Sequence, residues 1–241
     1  MVDPDCPKAL SAGKGFLERR AESELKWKIN ARRTVASTLG IYGGFYGVEH
    51  GYFETLQGNA TPSSMLINAI GPPCQPSGQW YGCERAITII PNFFVTGVVA
   101  IIVGLTVMVW AAAFVQRKNG GVVLILLSII QLFVGGGIGP IFPNLVAGIA
   151  GTRINSPLTW WRAHLSANLR RFLAKLWPWS LIVTLLWLPG EYVLGYFLGA
   201  NNPNLAPLSQ PILGLLLLTL LAGFAYDTLR ALVPDREVRV S

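Results

Sequence analysis

Glu49, His50 and Glu54 stand close together in an otherwise apolar stretch. On a helix, His50 and Glu54 are one turn apart and share a face with Gly43 and Gly47, while Glu49 lies on a neighbouring face with Tyr42, Tyr46 and Phe53. Two carboxylates and an imidazole so placed could pass a proton, or could form half of a metal site. A metal centre wants three or four ligands, and the chain's other histidine, His164, is far away in sequence. The plainer account is a span that ends near the headgroups, where polar groups cost little. Glu191 is the second candidate. It follows Pro189-Gly190 inside an apolar run, and a Pro-Gly break would free backbone carbonyls beside a carboxylate, as at the ion sites of transporters. Its plainer account is a hydrogen-bonded strut between helices. Gln131 and Asp227 complete the intramembrane polar set. Asp227 lies three residues before Arg230 and pairs most simply with it.

Cys74 and Cys83 bracket QPSGQWYG, and a disulfide there is reasonable if the loop faces an oxidising space. The sequence shows no metal-ligand spacing, phosphate loop, dinucleotide fingerprint or nucleophile elbow. No cofactor is therefore expected, and an enzyme is the least supported class.

These groups sit among elements that composition assigns to a membrane. The chain has 241 residues, 52% hydrophobic and 13% charged, against roughly 25% charged in soluble domains. The expectation is an all-α, polytopic integral membrane bundle with five hydrophobic segments, about 35–56, 89–115, 122–150, 177–198 and 208–229. The formal net charge of +7 does not imply nucleic acid, because the basic residues flank the apolar runs. The partner is the lipid bilayer, and the location a plasma membrane crossed several times. The polar first 30 residues do not resemble a secretory leader. Residues 1–33 predict a cytoplasmic amphipathic segment and residues 34–241 a single transmembrane domain. Within it, 57–88 forms an irregular exterior loop, with a short helix near Met65–Ile70. Residues 158–176 predict an interfacial amphipathic helix, with Trp160, Trp161 and later Tyr226 as interface anchors.

In the first span, Gly43, Gly47 and Gly51 repeat at four-residue spacing, a surface on which another helix, of a second copy or of a membrane partner, could approach closely. The central segment is broken at 135–143 by GGGIGPIFP. It either crosses once with a kink or enters and returns as a re-entrant hairpin. Its length is too short for two full crossings. Charge favours the return, which leaves Arg85 as the one Lys or Arg outside and both termini in the cytoplasm. A single crossing divides the basic residues almost evenly. Two functions follow from different classes: a small transporter or channel-like protein moving protons, ions or a small solute, or a non-catalytic accessory or assembly subunit of a membrane complex.

Overall fold

The computed structural model describes residues 30–69, 84–198 and 211–230. The order is α1 (Ala31–Leu56), β1 (Leu66–Asn68), β2 (Arg85–Ile87), α2 (Phe93–Val109) extended by a π turn (Trp110–Phe114), α3 (Gly120–Phe133), α4 (Ile141–Thr152), α5 (Thr159–His164), α6 (Ala167–Leu198) and α7 (Pro211–Arg230). The fold is a helical bundle. Among the described residues, two helices are long and apolar enough to cross a membrane: Phe93–Phe114, with mean hydropathy 2.5, and Pro211–Arg230, with mean hydropathy 1.9. Only 28% of the most apolar window of Phe93–Phe114 is buried, and Ile102, Leu105 and Val109 are exposed on its surface. A core helix of a soluble protein would hide such a surface.

Packing starts from glycine. A Cβ on Gly44 would stand 2.8 Å from the Gly104 carbonyl oxygen, and one on Gly104 would stand 2.8 Å from that of Gly44. The backbones of α1 and α2 therefore touch, with Gly51 and Gly97 repeating the contact further along. On the other face of α1, Gly43 and Gly47 receive Asn144 and Gln131. Of the glycines expected to meet another chain, Gly43 and Gly47 thus meet Asn144 and Gln131 of this one, and Gly51 meets α2. Beneath it, Leu39, Val35, Ala111, Leu124 and Ala147 form the apolar core.

The central stretch folds as two antiparallel helices. Gly121, at the start of α3, packs against Gly148 and Gly151 near the end of α4. Pro140 and Pro143 do not interrupt α4, because they open it. In the first turn the missing amide hydrogen of proline has no intrahelical acceptor to lose. At roughly 1.5 Å per residue, neither α3 nor α4 alone reaches the roughly 30 Å of a hydrocarbon core.

Their junction lies at the end of the bundle occupied by the α1–α2 connector. That connector is not wholly irregular. Leu66–Asn68 is a strand, not a helix, and pairs antiparallel with Arg85–Ile87 in the register Ile67 to Ala86. The α3–α4 turn adds to the same edge: Ile89 N donates to Phe133 O (3.1 Å), Gly135 N to Ile87 O (2.9 Å) and Ile138 N to Arg85 O (3.0 Å).

The opposite end gathers the α2–α3 and α4–α5 connections. Asn155 Nδ2 donates to Gln116 O (3.1 Å), joining the α4–α5 loop to the α2–α3 turn. Asp227 of α7 accepts from Ala31 N (2.9 Å), Arg32 N (3.1 Å) and Arg32 Nε (2.7 Å) at the start of α1. The Arg32 guanidinium also donates to Arg153 O and Ser156 O, just past the end of α4. Asp227 therefore pairs with buried Arg32, and not with Arg230 as sequence spacing suggested.

Two further expectations change. The helix expected over 158–176 is divided. α5 ends at Leu165, whose backbone is extended, and Ser166 Oγ accepts from Leu169 N (3.3 Å) to start α6. α6 then continues through Pro178 and Pro189 without a break, so the discontinuity expected before Glu191 is absent. Each proline removes one backbone hydrogen bond. Packing on α7 holds the helix near Pro178, with Trp177 against Tyr226 (4.9 Å between rings) and Thr184 Oγ1 3.2 Å from Thr219 Oγ1. Tyr226 is consequently buried rather than an interface anchor.

Candidate functional site

The polar residues of α1 converge on the α3–α4 turn. Gln131 and Asn144 are uncharged amides on α3 and α4, 1% and 0% exposed. Gln131 Nε2 donates to Gly43 O (2.9 Å), and Asn144 Nδ2 donates to Gln131 Oε1 (3.2 Å). Side chains of this length reach α1 only because Gly43 and Gly47 lack a Cβ. A Cβ on Gly47 would stand 2.6 Å from Gln131 Cδ. The pair binds the two short helices to α1, and Asn144 Oδ1 keeps no partner.

One and two turns further along α1 come His50 and Glu54. The turn above them needs two left-handed glycines, Gly135 at φ +93° and Gly137 at φ +83°. Both also bring backbone close to the acid–imidazole pair. A Cβ on Gly137 would stand 2.5 Å from His50 Nε2, and one on Gly135 would stand 2.6 Å from Glu54 Oε1 and 2.5 Å from the Thr96 methyl. Thr96 itself is tied by its hydroxyl to Thr88 Oγ1 at 3.0 Å.

His50 is 1% exposed. Its Nδ1 lies 2.8 Å from Tyr46 O. A carbonyl can only accept, so Nδ1 carries a hydrogen. Its Nε2 lies 2.9 Å from Glu84 Oε2, although the ring N–H is not well aimed along that contact. Glu84 immediately precedes β2, with a side chain 25% exposed. An imidazole nitrogen and a carboxylate oxygen attract at this distance only when one of them holds a proton, so the pair shares one. Glu49 is half-buried, within electrostatic reach of His50 and Glu84, and its Oε2 has no partner.

Glu54 is the extreme case. It is 0% exposed, and neither carboxylate oxygen has a hydrogen-bond partner. An uncompensated charge in such a place costs several kcal/mol or more, which makes Glu54 the leading candidate.

Along α1 the polar groups run from Glu54, nearest the connector, through His50 with Glu84 beside it, to Gln131 and Asn144, and stop there. At Gly40, about one turn below Gly43, the surroundings are Ala111, Leu124 and Ala147.

The structure therefore brings together four of the residues singled out from sequence: Glu49, His50, Glu54 and Gln131. Asp227 lies at the other end of the bundle and acts on α1 and Arg32. The backbone of Glu191 belongs to α6, but its side chain lies outside the described residues, as do Cys74 and Cys83. Among the described residues, no three His, Cys, Asp or Glu side chains converge as metal ligands. Sequence reading missed Asn144, Glu84, Thr96 and Arg32. Asn144 had a signal, a lone amide inside GGGIGPIFPNLVAG, but it was read only as part of an irregular stretch. Glu84 and Thr96 carry no local signal, because a chain fold of more than 30 residues brings them to His50 and Glu54. Comparison with protein-family models, with curated proteins and with solved structures finds no match.

Proposed function

We propose that this is a multi-pass membrane protein of the transporter or channel-like class, in which α1 and the α3–α4 hairpin form a half-path for a small cation or proton. In this reading both termini and the basic loops are cytoplasmic, the membrane is the plasma membrane, and α3–α4 is a re-entrant hairpin. Its tip reaches the exterior connector. One observation carries the reading: the fully buried, unpartnered carboxylate of Glu54 beneath a glycine turn between two short helices. Irregular backbone at membrane depth is tolerated where protein covers it or where it lines a cavity, and intramembrane carboxylates commonly mark ion or proton routes. The test is flux. Proteoliposomes loaded with a pH-sensitive dye should respond to an imposed gradient with wild-type protein and lose the response in Glu54→Gln. A wild-type rate equal to that of empty vesicles defeats the reading.

A second reading has its own support. The apolar seal of Leu39, Ala111, Leu124 and Ala147 closes the half-path toward the basic end. A closed path suits an accessory or assembly subunit that holds its partners and conducts nothing. Purification in mild detergent distinguishes the two, since a stoichiometric second gene product favours the subunit. The glycine face is already filled, so such a partner would use another surface.

A further inference from the structure

We propose that the ligand of the Glu54 pocket is a proton and not a metal cation, with the Glu84–His50 pair as its point of entry. This deepens the transport reading and uses the same site. The argument is steric first. A methyl group on Gly135 would collide with both Glu54 oxygens and with the Thr96 methyl, so the glycine turn closes the carboxylate on that side. A sodium, potassium or calcium ion needs several oxygen ligands around it, typically six or more for calcium at about 2.3–2.6 Å. Here neither Glu54 oxygen has a polar partner, and the Thr96 hydroxyl on the Gly135 side is engaged by Thr88 and by Ile90 O. A proton needs neither that room nor further oxygen ligands, and among the described residues no three His, Cys, Asp or Glu side chains converge to hold a metal.

The entry is argued from hydrogen-bond valence. Tyr46 O fixes the Nδ1 hydrogen of His50, so exchange is confined to Nε2. That nitrogen contacts Glu84, whose carboxylate is partly open to solvent. A proton taken up by Glu84 is shared with Nε2, and Glu54 lies one helical turn along α1 from His50, on the connector side. The charged surroundings are few. Along α1 they are Glu49 and His50, and from the connector Glu84 and the exposed Arg85, while α2, α3 and α4 contain no Asp, Glu, Lys or Arg at all. No fixed cation on those helices therefore competes with the proton for the carboxylate.

Infrared difference spectroscopy tests this on the full chain in detergent. Spectra are compared between acid and alkaline buffers, in choline, sodium and calcium salts. The expected result is a neutral-carboxyl stretch that grows in acid, is absent from Glu54→Gln, and is the same in all three salts. Loss or shift of that band on adding sodium or calcium to wild-type protein overturns the proposal in favour of a metal site. So does the absence of any Glu54-dependent band across the titration. The salt comparison needs no variant, so misfolding of Glu54→Gln cannot rescue the idea. A proton-binding band with no flux in vesicles refutes transport and leaves the ligand assignment standing. Flux without the band does the reverse.

Discussion

Asp227 and Arg32 are, at the scale of single residues, the most exposed to substitution. Asp227 is a cap and a counter-ion at once, holding two first-turn amides of α1 and the Arg32 guanidinium. Asp227→Ala leaves a buried guanidinium unpaired and should cost about 3–5 kcal/mol. The double change Asp227→Leu with Arg32→Met should recover most of that loss, leaving about 1 kcal/mol for the missing cap. Thermal unfolding of the single and double variants in one detergent is the measurement. Equal stability of the wild type and Asp227→Ala would show that the pair is screened rather than buried. Gly135→Ala should cost about 1–3 kcal/mol, because it combines a left-handed φ with a contact on Glu54. At this scale sequence reading was uneven. The shared face of Gly43, Gly47, His50 and Glu54 follows from helical angles and is present. The pairing of Asp227 followed from proximity in sequence, which has no hold over a carboxylate buried against another helix.

For the elements, the decisive contact is between α1 and the two short helices. Gly43→Leu with Gly47→Leu should expel Asn144 and Gln131 from α1 and undock the hairpin. Gly214→Leu is the matched control, since a Cβ on Gly214 has nothing within 4 Å and should leave stability unchanged. Protease sensitivity of the α3–α4 turn reads the result, and a double-leucine protein as resistant as wild type would sink the packing argument. The break in the central stretch was legible because glycine and proline act locally. Its anchorage was not, since the edge supplied by β2 depends on hydrogen bonds across more than 40 residues. The division at Leu165–Ser166 was missed for a related reason. An apolar stripe says which face is greasy, but it does not mark where Ser166 starts a new helix. In α6, Pro189-Gly190 gave a false break, because the helix continues through it with one backbone hydrogen bond fewer.

At the scale of the molecule, the arrangement of ends makes a topological prediction. Single cysteines at Lys118 and Ser156 should react with an impermeant thiol reagent from one side of a sealed membrane, and one at Ser63 from the other. Labelling of Ser156 and Ser63 from the same side would defeat the re-entrant hairpin. Hydropathy alone carried the helical class. It could not choose between one kinked crossing and a return. The basic-residue count leaned toward the return, and the antiparallel packing of α3 on α4 is compatible with it, so the labelling decides. Glu191 keeps its own test. Glu191→Gln should be nearly neutral for stability if the group is a strut, whereas Glu191→Leu should lose roughly 0.6 kcal/mol.

The joint between Arg32 and Asp227 has a consequence in time. The two residues are 195 positions apart. A ribosome adding about 5–20 residues per second needs roughly 10–40 s to make the second after the first. Through that interval α1 is in existence without its cap and with its guanidinium unmatched, while the segments that follow are still being made. The first of the described helices is therefore among the last to be finished. A chain released before α7 should be a substrate for quality-control proteases even though every polar group around Glu54 is already present.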